Sequence, residues 1–135
     1  MITAIDTNIF LDILRPNDIF VDASANALEI SATAGLLVIC DVVYAELCIH
    51  FPTQQECDDF LGANQIRVES STKLALFTAS RAWRIYRQQG GQRTRILPDF
   101  LIGAHAQTQA SRLLSRDRGF YRQLFPQLDI LDPSV

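Results

Sequence analysis

"MITAIDTNIFLDIL", residues 1–14, holds the feature on which the reading of the whole chain turns. Its first five residues form an apolar run of strand length, and the run ends on a carboxylate, Asp6, with Thr7 and Asn8 directly behind it. Similar runs recur as "LLVIC" (36–40), "IRVE" (66–69), "RLLS" (112–115) and "LDIL" (128–131), separated by longer segments with helical periodicity. Strands that alternate with helices imply right-handed crossovers, which predicts a mainly parallel sheet covered on both faces. In such sheets ligands bind beyond the carboxyl ends of the strands, where loops and helix N-termini converge. Asp6 stands at such an end.

The chain-wide numbers limit what that acid can be for. The 135 residues predict one domain over 1–135, able to bury a real core. A hydrophobic fraction of 48% and a charged fraction of 20% are ordinary for a globular protein. No apolar run approaches the roughly 20 residues needed to span a bilayer, so no membrane role is expected. Nothing at the N-terminus marks the chain for export, and Cys40, Cys48 and Cys57 lack the spacing of a metal knuckle. They read as reduced core thiols of a cytoplasmic protein. Twelve Lys and Arg against fifteen Asp and Glu, a net charge of −3, exclude a surface coated for nonspecific nucleic-acid binding but leave room for a local basic strip.

The helices carry their own signatures. In "STKLALFTASRAWRIYRQQGG" (71–91), Ala75, Ala79, Ala82, Trp83 and Tyr86 recur at three- and four-residue steps, with Arg81, Arg84 and Arg87 opposite and the glycine pair to end the helix. "TQQE" (53–56) matches a capping box, and Cys57, Phe60 and Leu61 supply the apolar stripe behind it. "DVVYAELCIHF" (41–51) reads as a helix with Asp41 as its cap. "LPDFLIGAHAQTQA" (97–110) places Pro98 and Asp99 where helices start.

The remaining acids can now be set beside Asp6. Asp117 follows the strand "RLLS" and precedes Gly119, which permits a tight turn into the next helix. Glu46 lies about one turn into the helix leaving the second strand, and Asp99 lies in the first turn of another. If these elements are neighbours, four carboxylates converge on one edge of the sheet. Two like charges about 4 Å apart repel by roughly 4 kcal/mol at an effective dielectric near 20, so such a cluster calls for a neutralising cation. With oxygen ligands only, Mg²⁺ or Mn²⁺ is favoured over zinc, and such ions suit phosphodiester hydrolysis. Taken singly, Asp6 or Asp99 reads equally well as a helix cap. Glu46 is harder to set aside, because it stands in an apolar segment where a free charge is costly. Asp12, Asp22, Asp41, Asp58 and Asp59 are read as surface or cap residues, and His50 and His105 as core or supporting residues on apolar helix stretches.

With those residues in place, the chain resembles the PIN-domain ribonucleases, and among them the VapC toxins of bacterial toxin–antitoxin pairs. The resemblance rests on "IDTNIFLDIL", "VVYAEL" with Glu46, "LPDFLIGAHA" with Asp99 and "LLSRDRGFYRQLFP" with Asp117, in the family's order and over nearly the whole chain. It implies an α/β/α sandwich around a short, mainly parallel sheet and a Mg²⁺- or Mn²⁺-dependent endoribonuclease. By position it implies Asp6, Glu46, Asp99 and Asp117 as the metal-binding, catalytic acids. Thr7, Asn8, Ser115 and Arg116 would orient those acids or touch the scissile phosphate. An antitoxin partner and a homodimer are implied as well.

Contact with RNA has two candidate surfaces. Arg81, Arg84, Arg87, Arg93 and Arg95 form a strip that could follow a phosphate backbone or be a solvated helix face; Arg112, Arg116, Arg118 and Arg122 are expected nearer the site. "IFVDASANALEISATAG" (19–35), with Phe20, Leu28 and Ile30, could serve a partner surface or the core. Two other functions compete. A receiver-like signalling domain needs a second acid after the first strand and a lysine near the last, but the chain has "DTN" and only Lys73. A PIN-domain RNA-processing enzyme that is not a toxin stays open, separable by growth arrest on expression and relief by a neighbouring gene product.

Overall fold

The apolar runs do pair into a sheet, and their order fixes where the acids stand. The computed structural model describes residues 1–15, 19–92 and 97–135. The elements along the chain are β1 (Ile2–Ile5), α1 (Thr7–Leu14), α2 (Val21–Ala34), β2 (Leu36–Cys40), α3 (Asp41–Cys48), α4 (Gln54–Ala63) and β3 (Ile66–Glu69). They continue as α5 (Lys73–Gln88), α6 (Pro98–Gln109), β4 (Arg112–Leu114), α7 (Phe120–Leu124) and β5 (Ile130–Leu131). The strand order is β3-β2-β1-β4-β5, and every pair is parallel. Thr3, Ala4 and Ile5 of β1, Leu37 to Cys40 of β2 and Leu113 and Leu114 of β4 are all buried, as strands covered on both faces must be. This is the α/β/α sandwich expected. The chain runs outward from β1 through β2 to β3, then returns to place β4 on the other side of β1. The reversal puts a crevice at the carboxyl ends of β1 and β4, which is where Asp6 and Ser115 stand.

Local chemistry explains most helix boundaries. Thr53 caps α4, its hydroxyl accepting the Glu56 N–H at 3.2 Å, as the capping box requires. Thr72 does the same for α5 through Ala75. Helix α5 buries Ala75, Ala79 and Ala82 and turns Arg81, Arg84 and Arg87 to solvent, as its periodicity predicts. Arg93 and Arg95, the rest of that strip, lie outside the described residues. Three readings need correction. The segment 41–51 is helical only to Cys48, because Pro52 pushes the residue before it away from the helical region, and His50 falls in a half-buried turn. Asp41 is the first helical residue rather than the cap; its carboxylate accepts the Val42 N–H at 3.2 Å. The last strand pairs only over Ile130 and Leu131, with Leu128 in the turn before it. The three cysteines are free thiols, Cys40 and Cys57 buried and Cys48 partly so; burial pushes the thiols of Cys40 and Cys57 up to about 11 and about 12.

Helix α6, which bears Asp99, is held from two sides. Gly103 lies against the ring of Phe125, where any added Cβ would collide with it. His105 is buried and 3.1 Å from Glu69 at the end of β3, and Gln109 donates to the same carboxylate at 3.2 Å. Burial depresses the pKa of the His105 imidazole, against the opposing pull of Glu69. An unfolded chain takes up a proton near pH 6.5 that native His105 resists, so this residue removes stability as pH falls through that value. In urea denaturation, His105→Gln should therefore lose less stability than the wild type between about pH 7.5 and about pH 5.5; an equal loss would contradict this account. Gly103→Ala should cost about 1–3 kcal/mol in the same measurement, because a packed aromatic ring must move.

Candidate active site

The backbone N–H and carboxylate of Asp6 are held by four bonds from three directions. Its backbone N–H donates to Leu114 O at 3.0 Å, joining the ends of β1 and β4. Its Oδ1 accepts the Thr7 N–H at 2.7 Å, the cap of α1. Its Oδ2 accepts two hydroxyls, Ser115 at 2.7 Å and Tyr121 at 2.9 Å. Asp6 is thus cap and site acid at once. Burial pushes its pKa up, the two hydroxyls pull it back, and nearby Asp99 adds to the upward push. Thr7 extends the arrangement by donating its hydroxyl to Glu46 Oε1 at 2.7 Å, so α3 is tied to the start of α1. Asn8 binds the other side: its amide nitrogen donates to Ser115 Oγ and Arg116 O, both at 3.3 Å, and its oxygen accepts the Arg116 N–H.

The four expected acids are at the same edge of the sheet but are not equivalent. Asp6 and Asp99 share the wall of an open cavity of about 320 Å³, together with Asn8, Phe120 and Tyr121 and with Arg116, Asp117 and Arg118. Asp99 reaches it from the exposed first turn of α6, its Oδ1 3.5 Å from the Tyr121 hydroxyl. Glu46 is one residue removed, linked through Thr7. Asp117 is engaged differently: its oxygens accept the backbone N–H groups of Gly119, Tyr121 and Arg122 at 3.0, 3.1 and 3.2 Å, and Arg122 pairs with it at 3.5 Å. Its carboxylate caps α7, after the left-handed turn at Gly119 (φ 101°). Among the described residues no three His, Cys, Asp or Glu side chains converge closely enough to hold one ion. The donor set still suits a hard divalent cation, since Mg²⁺ commonly takes one or two carboxylates and keeps several waters, and Asp6 with Asp99 supplies that pair.

The arginines depart furthest from expectation. Asp12 is not a surface or cap residue: it is buried, binds Arg116 at 2.7 and 2.9 Å and accepts the Ser24 hydroxyl at 2.6 Å. The Arg116 guanidinium also lies 4.2 Å over the Phe20 ring. Arg112 begins β4 and so lies at the sheet edge opposite the acids, donating to Thr3 and Ser31. Arg122 is spent on Asp117 and Asp132. Arg118 is exposed at the cavity.

A model of the PIN domain matches residues 3–124. The chain belongs to the PIN domain family. No curated protein matches it. Among solved structures, this PIN domain is similar to a chain of VapBC2 from Rickettsia felis bound to a DNA fragment from their promoter, at 22% identity, 98% coverage of both chains and a TM-score of 0.73. It is similar to VapBC-1 from nontypeable Haemophilus influenzae at 18% identity, full coverage and a TM-score of 0.72. A toxin–antitoxin complex from Klebsiella pneumoniae matches at 17% identity, 97% coverage of both chains and a TM-score of 0.68. At such identities the likeness establishes the fold. Sequence reasoning missed Asp12, Tyr121 and Asp132. Tyr121 had a usable signal, an aromatic hydroxyl in the first turn of the helix that Gly119 opens at the site edge; Asp12 and Asp132 had none, since their partners are distant in sequence.

Because Asp12 leaves Arg116 without a counter-charge when removed, Asp12→Ala should cost about 3 kcal/mol or more in chemical denaturation. A loss under about 1 kcal/mol would mean the pair behaves as a surface ion pair.

Proposed function

We propose that this PIN domain is a Mg²⁺- or Mn²⁺-dependent endoribonuclease, the VapC-type toxin of a toxin–antitoxin pair. The observation that carries the reading is the meeting of Asp6 and Asp99, from segments distant in the chain, on one open cavity at the strand reversal. When bound there, a divalent cation would activate water and offset charge on the scissile phosphate and the departing 3′ oxygen. The chain supplies the rest. Ser115, Tyr121 and the Thr7 amide fix the Asp6 carboxylate, so it meets a cation without reorganising. Glu46 joins through Thr7, and Asn8 pins the strand end that carries Ser115. Arg118, exposed at the cavity, is placed to meet a phosphate of the RNA, and Arg116 orients the loop beneath it.

The toxin part of the reading draws on the VapBC and toxin–antitoxin complexes to which the fold is similar. It implies an antitoxin partner and a homodimer in the cytoplasm. No helix among the described residues is long and apolar enough to cross a membrane.

With Mg²⁺ and a sensitive RNA, Asp99→Asn should reduce cleavage by more than the about 10–100-fold typical of changes outside the ligand set, with the melting temperature retained because Asp99 is exposed. Cleavage that survives chelation would remove the metal dependence, and cleavage that survives this substitution would remove Asp99 from the site. Growth arrest on expression, relieved by the product of a neighbouring gene, separates a toxin from an RNA-processing enzyme.

A further inference from the structure

The Tyr121 hydroxyl touches two of the three acids of the cavity wall, 2.9 Å from Asp6 Oδ2 and 3.5 Å from Asp99 Oδ1. The residue is only 4% exposed, so water does not compete freely for those contacts. Its position is set from behind. Asp117 Oδ1 accepts the Tyr121 N–H, Asp117 also takes the amides of Gly119 and Arg122, and the Asp117 N–H is itself bound by Asp132 at 3.1 Å. Phe120 packs edge-on against the Tyr121 ring, with centroids 5.5 Å apart. A phenol keeps its proton at neutral pH, so the hydroxyl is a donor toward these carboxylates. Two carboxylates facing one cavity repel, and a fixed O–H dipole between them is one local group that offsets this without an ion.

We infer that Tyr121 is a positioning residue whose hydroxyl ties Asp6 to Asp99 in the cation-free protein, and that Asp117 serves the site through Tyr121 by capping α7. The inference rests on the reading of Asp6 and Asp99 as the cation-binding pair. It separates the acids of the cavity wall by role: Asp6 and Asp99 meet the tyrosine hydroxyl, and Asp117, its oxygens taken by backbone amides, holds the tyrosine that joins the two.

A double-mutant cycle in chelator-treated protein tests the tie without any metal. Tyr121→Phe should lower the melting temperature by about 4 °C in the wild-type background and by less than half of that in Asp99→Asn, where one charge of the pair is gone. The same loss in both backgrounds would overturn the inference, leaving the hydroxyl an ordinary bond to Asp6. In Mn²⁺ titration calorimetry, Tyr121→Phe should weaken binding about tenfold or more. Asp117→Asn should weaken it in the wild type and add nothing to Tyr121→Phe. Unchanged Mn²⁺ affinity in Tyr121→Phe, or additive losses, would overturn it too. If the wild type takes up no Mn²⁺ the metal reading itself fails, while the cycle in chelator still decides whether the hydroxyl couples the two acids.

Discussion

A buried carboxyl group at the end of a central, doubly covered strand is the constraint around which the rest of the molecule is arranged. Asp6 follows β1, which has β2 on one side and β4 on the other, so no neighbouring chain end is free to let water reach it broadly. An unpaired charge there would be strongly penalised. The fold answers with donors drawn from three segments: the Thr7 amide, the Ser115 hydroxyl and the Tyr121 hydroxyl. Each requires its own element to be correctly seated. The strand reversal supplies Ser115, the turn at Gly119 supplies Tyr121, and the helix that Asp6 itself starts supplies Thr7. Satisfying one buried acid thus draws β1, β4, α1 and α7 into register.

The same logic explains why supporting residues lie behind the visible ones. Asn8 bridges to the backbone of Arg116, and the Arg116 guanidinium is fixed by buried Asp12, which also takes Ser24 of α2. Asp132 near the C-terminus holds the amide of Asp117, which holds Tyr121. These are chains of charge-assisted bonds in poorly solvated surroundings, where a satisfied network is stiff and a broken one is costly.

Much of the architecture was legible in the sequence because it follows from short-range rules. Periodicity placed α5 and its alanine face, the "TQQE" pattern placed the start of α4, and apolar runs placed five strands in a parallel arrangement. That Asp6 and Asp99 stand at one edge of the sheet was legible because strand ends and helix starts are themselves readable, whereas Thr7 and Ser115 entered only with the family resemblance. What escaped was pairing at a distance. Asp12 looks like any polar residue on an amphipathic helix, and only the fold sets it against Arg116, 104 residues on. Asp117 looked like its fellow acids, yet the turn at Gly119 brings three amides to it. A sequence gives the acid, but the direction of its oxygens depends on a backbone conformation set by the next few residues.

The charge arrangement bears on how an acidic protein can meet an anionic polymer. With a net charge of −3 the chain as a whole offers no attraction to RNA, so under the proposed nuclease reading binding would come from local geometry. Arg112, Arg116 and Arg122 sit near the last strand and loop, but each is committed to protein oxygens. For half-buried Arg112 and Arg116 those commitments serve stability, because such a guanidinium needs its partner, whereas Arg122 is exposed and its pairs at 3.5 and 3.9 Å contribute little. On the cavity wall exposed Arg118 is then the cationic side chain open to a phosphate under the proposed reading. A backbone phosphate drawn there would lie over Asp6 and Asp99 and be repelled by them unless a cation stood between. Under the proposed nuclease reading, the acids that would hold the ion would also repel a nucleic acid from a site that lacks one, and substrate binding would be coupled to the metal.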